Sequence, residues 1–383
     1  MKKNTINFSL SLLCSAIWKE TDCQRDFLHC IDRPLTDEEW KDIIKFFTLQ
    51  TLDGLLPDAI ALLSPEKQPS NAIKMPIIVR QLKVERMNNI VNQELLSFTK
   101  ELNKREIPYF VLKGQGVAAL YPHPLHRTCG DIDLYVHEQY LKDVGRGFNA
   151  FGAIRTNETR HHINYQARDV EWELHHHIYY FQKEKRNHIF MRYVEEAIRK
   201  TPEYITIEGE KVRVMPPVVN IMTLLAHILD HFYCEGVGIR QLCDFALMLH
   251  HKKNEIYKTE FLEALDRLSL TRSYRIFGYL CVHYLGLPEE DLLLQATEKE
   301  KRLAHKVMDD CLKGGNFGYA YSNPRVTLGQ KTAFYARFLH RLWQYKNLCP
   351  SEALWWPIAK LWRAVTGRVS ISEEQSAINC SLP

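Results

Sequence analysis

Residues 112–136 read LKGQGVAALYPHPLHRTCGDIDLYV, and several side chains in this stretch can do chemistry together. Asp131 and Asp133 are two apart; on a strand they point the same way, while Ile132 and Leu134 point into a core. Two carboxylates side by side suit hard divalent cations such as Mg2+. Upstream, Lys113 and Gly114 close a strand with a turn whose free N–H groups and close backbone approach suit an anion. Arg127, four residues before Asp131, adds a planar fork matched to phosphate oxygens. The competing reading is plain: two acidic residues on a solvated strand face, with Lys113 and Arg127 merely neutralising them.

A two-cation site needs a third acid, and VEWELHHH (170–177) offers one. With Val170, Trp172 and Leu174 on the buried face, Glu171, Glu173, His175 and His177 share the other. A strand laid beside Asp131 and Asp133 delivers Glu173 to them. The alternatives are a solvated edge, or a zinc hydrolase built on the run from His175 to His177. Further on, His227 and His231 are four apart, as are Arg240 and Asp244. On two paired helices these four can form a second wall of the cleft, or a buried polar network tying the helices together.

The elements around these residues follow from periodicity. Apolar positions at helical spacing, among them Trp40, Ile43, Ile44, Phe47 and Leu55, predict an all-helical region over 1–104, with one long helix opening at Pro76. The period changes at Pro108. Over 105–215, YFVLK, DIDLYVH, HHINYQARD and VEWELHHHIYYF read as strands and EYITIEGEKVRVM as a hairpin; VAALY and EQYLKDVGRGFNAFG read as helices. From Pro216 helical spacing returns over 216–369, beginning with a hairpin of helices joined by CEGVG; 370–383 reads as a polar tail. The fold class expected is α+β, a small mixed sheet flanked by N-terminal and C-terminal helical regions.

Composition narrows the setting. The 383 residues predict more than one domain, and 45% hydrophobic with 25% charged residues is the balance of an ordinary soluble protein. Fifty basic against 46 acidic residues give no specific nucleic-acid signal. Ten scattered cysteines without a C-x-x-C pair predict reduced thiols and a cytoplasmic location. MKKNTINFSLSLLCSAIW has the look of a signal peptide, with Cys14 inviting a lipoprotein reading, but Ser and Asn interrupt its apolar run and an amphipathic helix is favoured. LWWPIAKLWRAVTGR, within 354–368, mixes Trp355, Trp356 and Trp362 with Lys360, Arg363 and Arg368. That mixture suits a helix docking on its own domain, or a weak contact with a membrane surface or another protein.

LKG, then a Tyr, an Arg and DID, then ELH some forty residues on, resemble the uncharacterised nucleotidyltransferase family of the DNA polymerase β-like nucleotidyltransferase superfamily. The likeness extends more loosely to DEEWKDIIKFF and to the helical hairpin. It implies a nucleotidyltransferase core that moves an NMP group from an NTP to a hydroxyl or phosphate acceptor, releasing pyrophosphate, with two Mg2+ (or Mn2+) ions. Carried over, Gly114 matches the turn, Asp131 and Asp133 the metal pair and Glu173 the third acid, with Lys113, Gln115 and Arg127 around the phosphates. Gln115 stands where the superfamily has Ser or Gly. The acceptor is not named by the resemblance, and a catalytically silent nucleotide- or partner-binding module of the same fold is the alternative.

Overall fold

A computed structural model of the chain describes residues 3–18, 27–159, 161–200, 202–316, 336 and 338–366. Helices α1 (Lys3–Ile17), α2 (Asp37–Leu49), α3 (Leu56–Ala61) and α4 (Asn71–Lys104) precede the sheet. Thr36 starts α2: its hydroxyl accepts from the Glu39 N–H while the Glu39 carboxylate accepts from the Thr36 N–H. Two otherwise orphaned donors are satisfied at once, and three acidic residues in the first turn favour the positive helix end. The long helix starts at Asn71 and not at Pro76. Pro76 sits near enough to the start that its missing N–H costs one early hydrogen bond.

Seven strands form one mixed sheet in the order β3-β4-β5-β2-β1-β7-β6. They are β1 (Tyr109–Val111), β2 (Ile132–Val136), β3 (Ile154–Glu158), β4 (His162–Ala167), β5 (Val170–His175), β6 (Glu203–Ile207) and β7 (Glu210–Val214). β2 runs antiparallel to β1 and parallel to β5. Between β1 and β2 lies the short helix α5 (Lys113–Ala118); α6 (Leu141–Ala150) follows β2 and α7 (Glu184–Arg199) follows β5. β1 ends two residues earlier than YFVLK suggested, because the backbone turns at Leu112 into α5. In the β6–β7 hairpin, Glu208 and Gly209 both have positive φ, 50° and 84°, the twist a two-residue turn needs.

All five residues of β2 are buried, whereas the alternating pattern predicts one wet face. β2 lies in the middle of the sheet with packing on both sides. Ile132, Leu134 and Val136 join Trp172 and Leu174 of β5 and Phe98 of α4 in one core. Phe98 stacks on Phe148 of α6 at 4.2 Å and Phe148 on Tyr165 at 4.4 Å; each such pair adds about 0.5–1.5 kcal/mol beyond area burial. Tyr135 and Phe110 face the other way and belong to a second core that takes in α1, α2 and the C-terminal helices.

Those helices are α8 (Pro217–Cys234), α9 (Ile239–Lys252), α10 (Lys258–Arg267), α11 (Thr271–Leu285), α12 (Glu298–Gly314) and α13 (Pro350–Thr366). α1 is part of the same core: Leu12, Leu13 and Ile17 are fully buried, and the Trp18 indole donates to the Leu285 carbonyl at 2.6 Å. On α13, Trp356 is buried against Phe338 and Tyr233, which is the docking expected of the Trp-rich segment. The side chains of Lys360, Trp362 and Arg363, and all of Arg368 and 370–383, lie outside the described residues. No helix among the described residues is long and apolar enough to cross a membrane.

Candidate active site

Strand register assembles the site. Asp133 on β2 pairs with Glu173 on β5, and His175 follows two residues on. Because Ile132, Leu134, Trp172 and Leu174 are committed to the core on one face, Asp133, Glu173 and His175 must share the opposite face. Asp131 stands at the mouth of β2. Oxygens of Asp131, Asp133 and Glu173 lie within 4.8 Å of one another.

Lys113 enters from α5. It and Gly114 have φ of 39° and 30°, and Gly114 has ψ of −117°, a conformation that strongly favours glycine. This sharp turn sets the Lys113 ammonium 2.8 Å from Asp133 Oδ1. His175 Nε2 donates to the same oxygen at 2.9 Å and to Glu173 Oε2 at 3.1 Å. Burial opposes both cations, yet the three carboxylates hold the Lys113 ammonium above its ordinary range, and hydrogen bonds to Asp133 and Glu173 raise His175 to about 9. Burial also works against the carboxylates, but Lys113 with His175 keeps Asp133 low, and His175 with His162 keeps Glu173 low.

Asp131 is the exception. Burial first, then Asp133 and Glu173, push its carboxyl up to about 7. Three acids face two cations, and the charge left over falls on Asp131. A divalent ion would offset that charge, and an all-oxygen donor set of this spacing fits Mg2+ or Mn2+; the residues present therefore fit the ions the resemblance implies.

Other expected contributors sit elsewhere. Arg127, 3% exposed, donates through Nε and Nη2 to the two carboxylate oxygens of Asp244 on α9 at 2.7 and 2.8 Å, and Tyr121 Oη donates to Asp244 Oδ1 at 2.7 Å. Its fork is taken up by a hairpin carboxylate and not by Asp131 or Asp133. Gln115 is buried and donates to Asn92 Oδ1 and Asn88 Oδ1 of α4. Its amide ties α5 to the long helix. The four hairpin residues are linked as a chain of neighbours, His231 to His227, His227 to Arg240 and Arg240 to Asp244, and not by hydrogen bonds within one cluster. His227 and His231 pack edge to face at 4.2 Å, and His231 pairs with Glu235 at 3.2 Å. Burial, then Lys113 and His231, hold the His227 imidazole well below its ordinary range, a neutral ring facing the site. Arg240 donates to Thr51 Oγ1 at 3.2 Å and to the Thr128 carbonyl at 3.1 Å. It has no carboxylate at ion-pair distance among the described residues.

Sequence reasoning missed His162, which pairs with His175 across β4 and β5 and stands 3.5 Å from Glu173 Oε1. The signal was there in HHINYQ, whose alternation puts His162 and Asn164 on one face of the neighbouring strand. It also missed Tyr121, whose hydroxyl completes the Asp244 clamp. A cavity of about 370 Å³ lined by Phe110, Tyr135, Tyr140, Ile198 and Arg199 lies at the other end of β1 and β2 and shares no residue with the carboxylates.

Residues 36–286 match the sequence model of a family described as uncharacterised nucleotidyltransferase. No curated protein matches the chain. The crystal structure of an antigenic nucleotidyltransferase-like protein from Paracoccidioides brasiliensis aligns with 51% of this chain and 92% of its own at 16% identity, with a TM-score of 0.33, a likeness too distant to inform the chemistry. The family match runs from Thr36, which caps α2, through every residue of the carboxylate site to the end of α11, about two thirds of the length, and on that ground the chain belongs to the uncharacterised nucleotidyltransferase family.

Proposed function

We propose that this protein transfers a nucleotidyl group from an NTP to a hydroxyl or phosphate acceptor and releases pyrophosphate. The observation that carries the reading is the register of Asp133 opposite Glu173 with Asp131 at the strand mouth. Two Mg2+ or Mn2+ ions held by Asp131, Asp133 and Glu173 would neutralise phosphate charge and lower the pKa of the acceptor hydroxyl. In the transfer, an acceptor oxygen bonds to the α-phosphorus while the bond to the bridging oxygen breaks, and the electron pair leaves with pyrophosphate. Lys113 offsets charge on the leaving group, and the turn at Gly114 brings its backbone close to the phosphates. Glu173 Oε1, which His175 leaves free, takes the acceptor's proton. Arg240, which has no carboxylate at ion-pair distance among the described residues, takes the phosphate-binding part that Arg127 gives up to Asp244.

A second reading draws on Lys113 and His175, which already satisfy Asp133 at ordinary distances: a silent module that binds nucleotide or a partner chain without turnover. Pyrophosphate release from each of the four NTPs with Mg2+ or Mn2+, over a pool of sugars, phospho-sugars and proteins, separates the two. Release lost in both Asp131→Ala and Asp133→Ala supports transfer. Metal-dependent NTP binding with no release under any condition supports the silent module.

A further inference from the structure

Beside the all-oxygen set, a second group of donors converges on Glu173. His162, Glu173 and His175 bring one donor atom each to within 4.8 Å of one another, because His162 and His175 are paired across β4 and β5 and Glu173 lies two residues before His175 on the same face. The imidazoles are prepared differently. His175 Nδ1 lies 3.2 Å from the His177 carbonyl oxygen; donation there leaves Nε2 directed at the carboxylates, where a metal ion would displace the proton that Nε2 now shares with Asp133 and Glu173, the arrangement by which a backbone carbonyl orients a metal-bound imidazole. His162 is 8% exposed and its Nδ1 has no hydrogen-bond partner. Its Nε2 stands 3.5 Å from Glu173 Oε1, wider than a good N–H···O bond. A buried imidazole left this poorly satisfied calls for a reason. His176 and His177 contact each other through Nδ1 at 3.2 Å, so the donor that complements His175 comes from β4 and not from the histidine run.

We propose that His162, Glu173 and His175 form a transition-metal site, distinct from the Asp131, Asp133 and Glu173 set and sharing Glu173 with it as a bridging ligand. Two imidazole nitrogens and one carboxylate oxygen make a three-ligand protein set with room for water or an incoming oxygen. Such donors select Zn2+, Co2+ or Mn2+ over Mg2+, which prefers oxygen alone. The site stands independently of the transferase reading, since it needs no nucleotide.

The test is titration of the nucleotide-free full chain with CoCl2, followed by its visible ligand-field absorption, and with ZnCl2, followed by calorimetry. Wild type and Asp131→Asn should each take up Co2+ with the band pattern of nitrogen ligation, displaced by Zn2+. His162→Ala and His162→Gln, checked for wild-type melting by circular dichroism, should lose at least about tenfold in Zn2+ affinity together with that band pattern. The proposal is overturned if a folded His162 variant binds Co2+ with the wild-type spectrum and affinity, or if Asp131→Asn abolishes uptake while His162→Ala keeps it. Absence of pyrophosphate release would count against nucleotidyl transfer and leave this result untouched.

Discussion

Asp133 and Glu173 face each other across neighbouring parallel strands, and a single imidazole nitrogen, His175 Nε2, donates to both, at 2.9 and 3.1 Å. The site is therefore braced by its own cations before any ligand arrives, and of the three acids Asp131 alone has no ion pair at contact distance among the described residues, Lys113 acting on it only from further off.

That imbalance gives the first prediction. Asp131 is raised from 3.8 to about 7, so its ionised form weakens the fold at high pH. As pH falls through 7 the folded protein takes up the proton and the penalty fades; below about 4 the carboxyl is protonated in both states and no penalty remains. In EDTA at pH 8, Asp131→Asn should stabilise the protein by roughly 1–3 kcal/mol in urea melts, and at pH 3.5 the gain should vanish. An equal gain at both pH values would show that charge is not the cause.

The buried clamp of Arg127 on Asp244 predicts the opposite sign. Asp244→Asn strips the guanidinium of its counter-ion while leaving it 3% exposed, which costs about 3–5 kcal/mol. Tyr121→Phe removes one hydrogen bond to the same carboxylate and should cost nearer 1–3 kcal/mol. Denaturant midpoints of the two variants check the order; a cheaper loss at Asp244 would mean that the pair contributes little.

Gly114 holds a backbone shape that side chains resist, although an added Cβ would only touch the Asp131 carbonyl at 3.5 Å. Gly114→Ala should cost about 1–3 kcal/mol through strain alone. It should also raise the KM for nucleotide more than it lowers kcat, because the turn brings its backbone close to the phosphates in bound substrate and transition state alike. Steady-state kinetics on each NTP that supports turnover reads this directly.

His126 bridges Asp58 and Glu85 with its two ring nitrogens, at 2.7 and 2.8 Å. Burial opposes the charge, yet the two carboxylates raise the imidazole above 6.5. A raised histidine contributes its full stabilisation below the unfolded value and loses it as pH rises through the folded one. His126→Gln should therefore lower the melting temperature at pH 6 by more than at pH 9, and a pH-independent loss would count against the charged bridge.

Much of this was legible in the sequence because β2 and β5 carry their apolar residues at alternate positions, which fixes the facing of Asp133 and Glu173 whatever lies around them. The helical hairpin and the β6–β7 turn were equally local signals. β3 escaped because IRTNE is a polar edge strand with Ile154 70% exposed, held by pairing to β4 and not by a pattern of its own. α7, though amphipathic, sits in a highly charged stretch, KEKRNHIFMRYVEEAIRK, whose charges outnumber and mask its apolar stripe. The fates of Arg127 and Gln115 depended on partners 117 and 23–27 residues away, and no spacing rule reaches that far. His162 failed for a related reason: its significance comes from the strand beside it.

The packing of α1 carries a kinetic consequence. The Trp18 indole is capped by the carbonyl of Leu285, 267 residues later in the chain. At roughly 5–20 residues per second of synthesis, Trp18 waits on the order of ten seconds to a minute before that partner exists, although α2 and α3, which also pack on α1, are made directly after it. During translation this protein carries a helix with one side covered early and the side that meets α11 left bare until among the last parts of the matched region are made, so its yield in a cell should depend on whatever shields that side in the nascent chain.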